Sequence, residues 1–93
     1  MAHNLFISYD LNFPGQSYDR ITDAIKELGP WARVHKSLWY VKSTRSVEET
    51  AQYLRSKVDQ NDALIVIDAS SNNAYWYTLD PQVSQHMIDN WYK

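Results

Sequence analysis

A carboxylate closes the first apolar run of the chain, Asn4-Leu5-Phe6-Ile7-Ser8-Tyr9-Asp10. The alternation reads as a strand with Leu5, Ile7 and Tyr9 on one face and Phe6, Ser8 and Asp10 on the other. Pro14-Gly15 beyond it marks a turn. Asp10 thus sits where the backbone leaves a sheet. An oxygen ligand in that position could hold Mg2+, a hard cation bound through carboxylates, water and phosphates. The plainer reading is a turn aspartate that accepts hydrogen bonds from nearby backbone N–H groups. A second group with chemical potential is basic. No acidic residue lies between Glu27 and Glu48, and that window holds Arg33, His35, Lys36, Lys42 and Arg45. Such a set could bind phosphate, or it could be a solvated strand face. A third group is aromatic: Tyr75-Trp76-Tyr77 could stack bases, cover a sheet or contact a protein partner.

Other chemistries lack their residues. The chain has no cysteine, so disulfides and thiolate metal sites are excluded, and a reducing cytoplasm fits. His3, His35 and His86 show no paired spacing for zinc. Gly15 and Gly29 are the only glycines, too few for a phosphate-cradling loop. No serine lies in a nucleophile elbow. The formal net charge of -2 argues against strong general affinity for nucleic acid, so any such contact must be local. No charged-then-apolar leader and no membrane-spanning run is read, so no membrane association is expected.

The elements that position these residues follow from periodicity. With 93 residues and 44% hydrophobic content the chain is read as one domain, 1–93, with one core. After the first strand a helix is expected from about Tyr18 to Leu28, with Ser17 as N-cap and Gly29-Pro30 as the stop. Trp31–His35 and Ser37–Lys42 read as strands, joined at His35-Lys36-Ser37 by a bend or bulge rather than a roomy loop, with a single long bent strand as the alternative. Ser46 and Glu49 form a capping box for a second helix, whose buried stripe is Val47, Ala51, Leu54 and Val58. Ala63–Ile67 is apolar without alternation, which predicts a strand buried on both faces. The order strand, helix, strand, strand, helix, strand over 4–69 predicts an α+β, ferredoxin-like βαββαβ core with both helices on one face. A C-terminal extension, 70–93, adds a strand at Ala74–Thr78 and a helix opened by Asp80-Pro81, with Val83, Met87, Ile88 and Trp91 near one face.

Two stretches carry a family resemblance. Leu5-Phe6-Ile7-Ser8-Tyr9-Asp10 and, after the helix, Arg33-Val34-His35-Lys36-Ser37-Leu38-Trp39 resemble the small ferredoxin-like CRISPR-associated protein that partners the integrase in spacer acquisition. His35 stands where that family commonly has Gln, and the tail from Ser70 differs from its usual swapped strand. The scaffold is also similar to virulence-associated protein D, a toxin ribonuclease, and to SinR-family small proteins. The resemblance implies a homodimer with facing sheets and places Asp10 at the family's metal-binding aspartate. Two expectations follow. One is an adaptor-like or toxin-like protein that binds DNA or RNA through Arg33, His35, Lys36, Lys42 and Arg45, with Mg2+ at Asp10 as a possible endonuclease centre. The other is a non-catalytic homodimeric interaction module that meets a protein partner through Tyr75, Trp76 and Tyr77.

Overall fold

The computed structural model describes residues 2–11 and 19–91. The expected turn at Pro14-Gly15, the N-cap Ser17 and the helix start at Tyr18 lie outside them. The elements are β1 (His3–Asp10), α1 (Asp19–Lys26), β2 (Trp31–His35), β3 (Leu38–Ser43), α2 (Val47–Arg55), β4 (Ala63–Asp68), β5 (Asn73–Tyr77) and α3 (Pro81–Asn90). The five strands form one antiparallel sheet in the order β2-β3-β1-β4-β5. The fold class is α+β.

β1 is central because its alternation serves two neighbours at once. Leu5, Ile7 and Tyr9 are buried, and they face Val41, Trp39, Val66 and Leu64 across the ladders to β3 and β4. Ile21, Ala24 and Ile25 of α1 and Ala51 and Leu54 of α2 join the same cluster, so both helices cover one face of the sheet. Each fully buried aliphatic side chain there contributes about 2 kcal/mol of transfer free energy. Val47 and Val58 pack at its margin. The capping box forms as the sequence predicts: Glu49 N–H donates to Ser46 Oγ at 3.1 Å, and Ser46 N–H to Glu49 Oε1 at 3.2 Å.

α1 ends at Lys26, two residues before the expected Leu28, because Leu28 N–H turns back to Ile25 O at 3.0 Å. Gly29 follows with φ 151°, where a Cβ would lie 2.0 Å from the Lys42 carbonyl oxygen. The chain passes so close to β3 there that Lys42 N–H bonds Pro30 O at 2.9 Å.

β4 departs from its expectation. Leu64, Val66 and Asp68 are buried, whereas Ala63, Ile65 and Ile67 are only half-buried. The helices cover one face, and the described residues leave the other partly open. Phe6 and Tyr40 share that open face as cross-strand partners, with ring centroids 5.5 Å apart. β5 adds to the β4 edge and alternates: Tyr75 and Tyr77 pack against the core, while Trp76 points to the open face. There the Trp76 indole donates to Ser84 Oγ at 2.9 Å, and the Trp91 indole donates to Asn72 O at 3.0 Å, which ties α3 to β5. Asp80 caps α3 by accepting from Gln82 N–H, with Pro81 in the first turn. α3 buries no residue, and Val83 and Ile88 stay exposed. No helix among the described residues is long and apolar enough to cross a membrane.

Candidate functional site

Two residues of turn join β2 to β3, and they bring Lys36 and Ser37 beside the end of β1. Tyr9 N–H donates to Ser37 O at 3.2 Å, and the Tyr9 hydroxyl donates to Lys36 O at 3.2 Å. The Trp39 indole donates in turn to the Tyr9 hydroxyl at 3.3 Å. From the other side Arg33 Nη2 donates to the same Lys36 carbonyl at 2.8 Å. The turn contains neither Gly nor Asn, so these side-chain bonds stand in for turn chemistry. Ser8, Tyr9, Asp10, Arg33, Lys36 and Ser37 line a cleft of about 780 Å3 at this end of the sheet.

The bulge expected at His35-Lys36-Ser37 lies earlier, within β2, and Lys36-Ser37 is a two-residue turn. Arg33 pairs with Trp39 and His35 pairs with Leu38, so Val34 is an extra residue in β2. Trp39 and Leu38 point to opposite faces. Arg33 and His35, two apart in sequence, therefore also lie on opposite faces instead of sharing one. Arg33 lies over the Trp39 ring, 5.1 Å from its centroid, and its guanidinium is thereby held in place.

The basic stretch of the sequence is not one patch. Arg33 and Lys36 line the cleft with Asp10, and His35 is on the opposite strand face. Lys42 pairs with Asn4 near the far end of the sheet, about 20 Å from Lys36 along β3 at the usual rise per residue. Arg45 lies beyond it, 4.7 Å from the Tyr53 ring centroid. That ring belongs to a bridge between helices: the Tyr53 hydroxyl donates to Glu27 Oε2 at 2.6 Å. The bond to Glu27, with burial and the Glu27 charge, holds the phenol above its ordinary pKa, and Arg45 opposes the shift. Of the aromatic trio, Tyr75 and Tyr77 are spent on the core and Trp76 alone faces the open side.

A polar pair at the far end of the sheet escaped the sequence reading. His3 Nδ1 lies 2.9 Å from Asp68 Oδ2, and Asp68 is buried. The two are far apart in the chain, and only the β1–β4 register, which sets Leu5 against Asp68, brings them together. Burial pushes the Asp68 carboxyl up. Hydrogen bonds from Ser70 N–H and Ser71, with the His3 charge, outweigh it, so the net shift is downward. Lys26 and Trp31 beside Trp39 were also missed, because their meeting depends on how α1 packs on the β2–β3 hairpin.

The cleft is lined by one carboxylate and two cations, and no group of three or more His, Asp or Glu side chains arranged for a metal occurs among the described residues. Mg2+ can be held by one or two carboxylates when phosphates complete its shell. Asp10 supplies the cleft with one carboxylate, so a divalent ion there would need its remaining ligands from phosphate, water or a second copy. What the arrangement can do is bind an anion: two cations converge on the cleft, and Asp10 sets its acidic limit. Comparison of the chain with protein-family models, with curated proteins and with solved structures finds no match.

Proposed function

We propose that this protein binds nucleic acid, as an adaptor-like or toxin-like member of the CRISPR-associated spacer-acquisition superfamily, on a ferredoxin-like core extended by β5 and α3. The observation that carries the reading is the cleft that Arg33 and Lys36 line together with Asp10. Both resembling stretches contribute to it, Tyr9-Asp10 from one and Arg33 to Ser37 from the other. The antiparallel setting of β1 between β3 and β4 supports the fold. Phosphate is the natural occupant, since Arg offers a fork of donors and Lys a mobile point charge. The resemblance implies a metal-binding role for Asp10 but not cleavage; cleavage dependent on Mg2+ would need a second carboxylate, and Asp10 of a second copy would have to supply it.

The test is binding and cleavage of labelled DNA and RNA at low salt, with Mg2+ and with chelator, for the wild type and Asp10→Asn. Binding that survives chelation supports the phosphate cleft. Mg2+-dependent cleavage lost in Asp10→Asn supports the nuclease. Absence of any binding at low salt overturns the nucleic-acid reading.

A second reading, a homodimeric interaction module, is favoured by the open sheet face. Phe6, Tyr40, Ile65 and Ile67 are half-buried there, and Ile88, 59% exposed, lines a groove with Trp76 and Trp91. Apolar surface of this kind marks protein contacts. Light scattering at tens of micromolar, roughly where specific dimers persist, should give twice the chain mass, and a monomer would count against it.

A further inference from the structure

β2 is an edge strand, exposed along its whole length, and its helix-side face carries more than the cleft uses. Trp31 and Arg33 both flank the buried Trp39, Trp31 with ring centroids 5.3 Å apart and Arg33 at 5.1 Å. Trp31 is nevertheless 46% exposed, so Trp39 supports it without enclosing it. Lys26, from the last turn of α1, holds its ammonium 5.0 Å from the Trp31 centroid. The order along the strand is thus cation and aromatic at Lys26 and Trp31, cation at Arg33, cation at Lys36, ending at the cleft. Alternate residues of a strand are about 6.6 Å apart, a step comparable to one nucleotide of an extended chain.

We propose that nucleic acid enters the cleft as an unpaired strand laid along β2, with a base stacked on Trp31 and adjacent phosphates held by Lys26, Arg33 and Lys36. The inference rests on the nucleic-acid reading of that cleft and names the form of its ligand. Stacking on a side chain needs a base free of its partner, which a duplex does not offer within its length. Arg33 spends one N–H on the Lys36 carbonyl, which fixes the guanidinium while leaving donors for phosphate. Lys26 reaches Trp31 on a flexible stem and can move from ring to phosphate at little cost. An added peptide strand is the other occupant an edge invites, but the extra residue Val34 breaks the register such a strand would need.

The test is fluorescence anisotropy with fluorescein-labelled oligo-dT and oligo-U of about twelve nucleotides, and with a matched duplex. The proteins are the wild type, Trp31→Ala, Trp31→Phe and Arg33→Ala, each checked for folding by circular dichroism. Single strands should bind more tightly than the duplex. Trp31→Ala should weaken single-strand binding about tenfold, the scale of one base stack, while leaving duplex binding unchanged. Trp31→Phe should keep most of the affinity. Equal affinity for duplex and single strand overturns the proposal but leaves the cleft as a phosphate site, as does single-strand binding that depends on Arg33 and ignores Trp31 in a folded variant. No binding of any probe by the wild type overturns the cleft reading as well.

Discussion

The Tyr9 hydroxyl of the central strand is bonded to the Lys36 carbonyl of the β2–β3 turn at 3.2 Å, and so fastens the basic turn to the strand that carries Asp10. The same oxygen accepts the buried Trp39 indole. Tyr9→Phe keeps the ring and removes this link, leaving the indole N–H without that acceptor. The expected cost is about 1–3 kcal/mol, read by urea denaturation. A change near zero would mean that Arg33 and the Tyr9 N–H bond to Ser37 O suffice to hold the turn.

Gly29→Ala should be worse. The new Cβ would meet the Lys42 carbonyl oxygen at 2.0 Å, on a backbone whose φ of 151° disfavours any side chain. The atoms it meets are backbone, so relief requires moving β3 against the α1–β2 connection. The expected loss is about 3 kcal/mol, or roughly 12 °C in a domain of this size. A thermal melt within a few degrees of wild type would show that the connection can slide.

Acid should unfold the protein partly through Asp68. Its carboxyl lies below the ordinary value of 3.8 in the folded state, so the unfolded chain takes up the proton first as pH falls. The contribution is fully present above that value and is lost as pH drops through the folded one. Asp68→Asn keeps an acceptor for Ser70 N–H and loses the charge facing His3. The variant should be less stable at neutral pH, with a flatter acid limb below about pH 4. Parallel acid limbs in the two proteins would assign acid sensitivity elsewhere.

The separation of the basic residues makes their roles distinguishable. Neutralising Arg33 and Lys36 together should weaken nucleic-acid binding and flatten its salt dependence by roughly two units of slope, one for each phosphate that no longer meets a cation. Neutralising Lys42 and Arg45, about 20 Å away, should leave the slope nearly unchanged. Arg45→Ala should instead weaken the α1–α2 packing, because the guanidinium lies over the Tyr53 ring that bonds Glu27. Equal effects from both pairs would mean that the nucleic acid spans the sheet.

What was legible in the sequence was local. The alternation of β1, the Ser46–Glu49 capping box and the Asp80-Pro81 start of α3 each depend on residues within one or two turns, and each stands where the pattern put it. The site was legible in part: Asp10, Arg33 and Lys36 meet in one cleft, but Lys42 and Arg45 are carried off by the length of β3, a distance the charge count does not contain. His35 parts from Arg33 because one extra residue, Val34, reverses the alternation, and no Gly or Asn marks it. The His3–Asp68 pair is a matter of strand register, which single-chain periodicity does not fix. Ala63–Ile67 misled for a related reason: an apolar run reports that both faces avoid water, not whether this chain alone covers them.

The extra residue at Val34 also bears on how the protein behaves when concentrated. β2 is an outer strand with Trp31 46% and Val34 45% exposed, the composition of a seed for sheet-to-sheet growth. The broken register means that two such edges cannot zip together without orphaning backbone groups, and Arg33 and Lys36 bring like charges into the join. Removing Val34 would straighten this edge into an unbroken register, with Arg33 against Trp39 and His35 against Leu38 as consecutive residues on opposite faces. The shortened chain would then be prone to stack into fibrils that the bulge holds off.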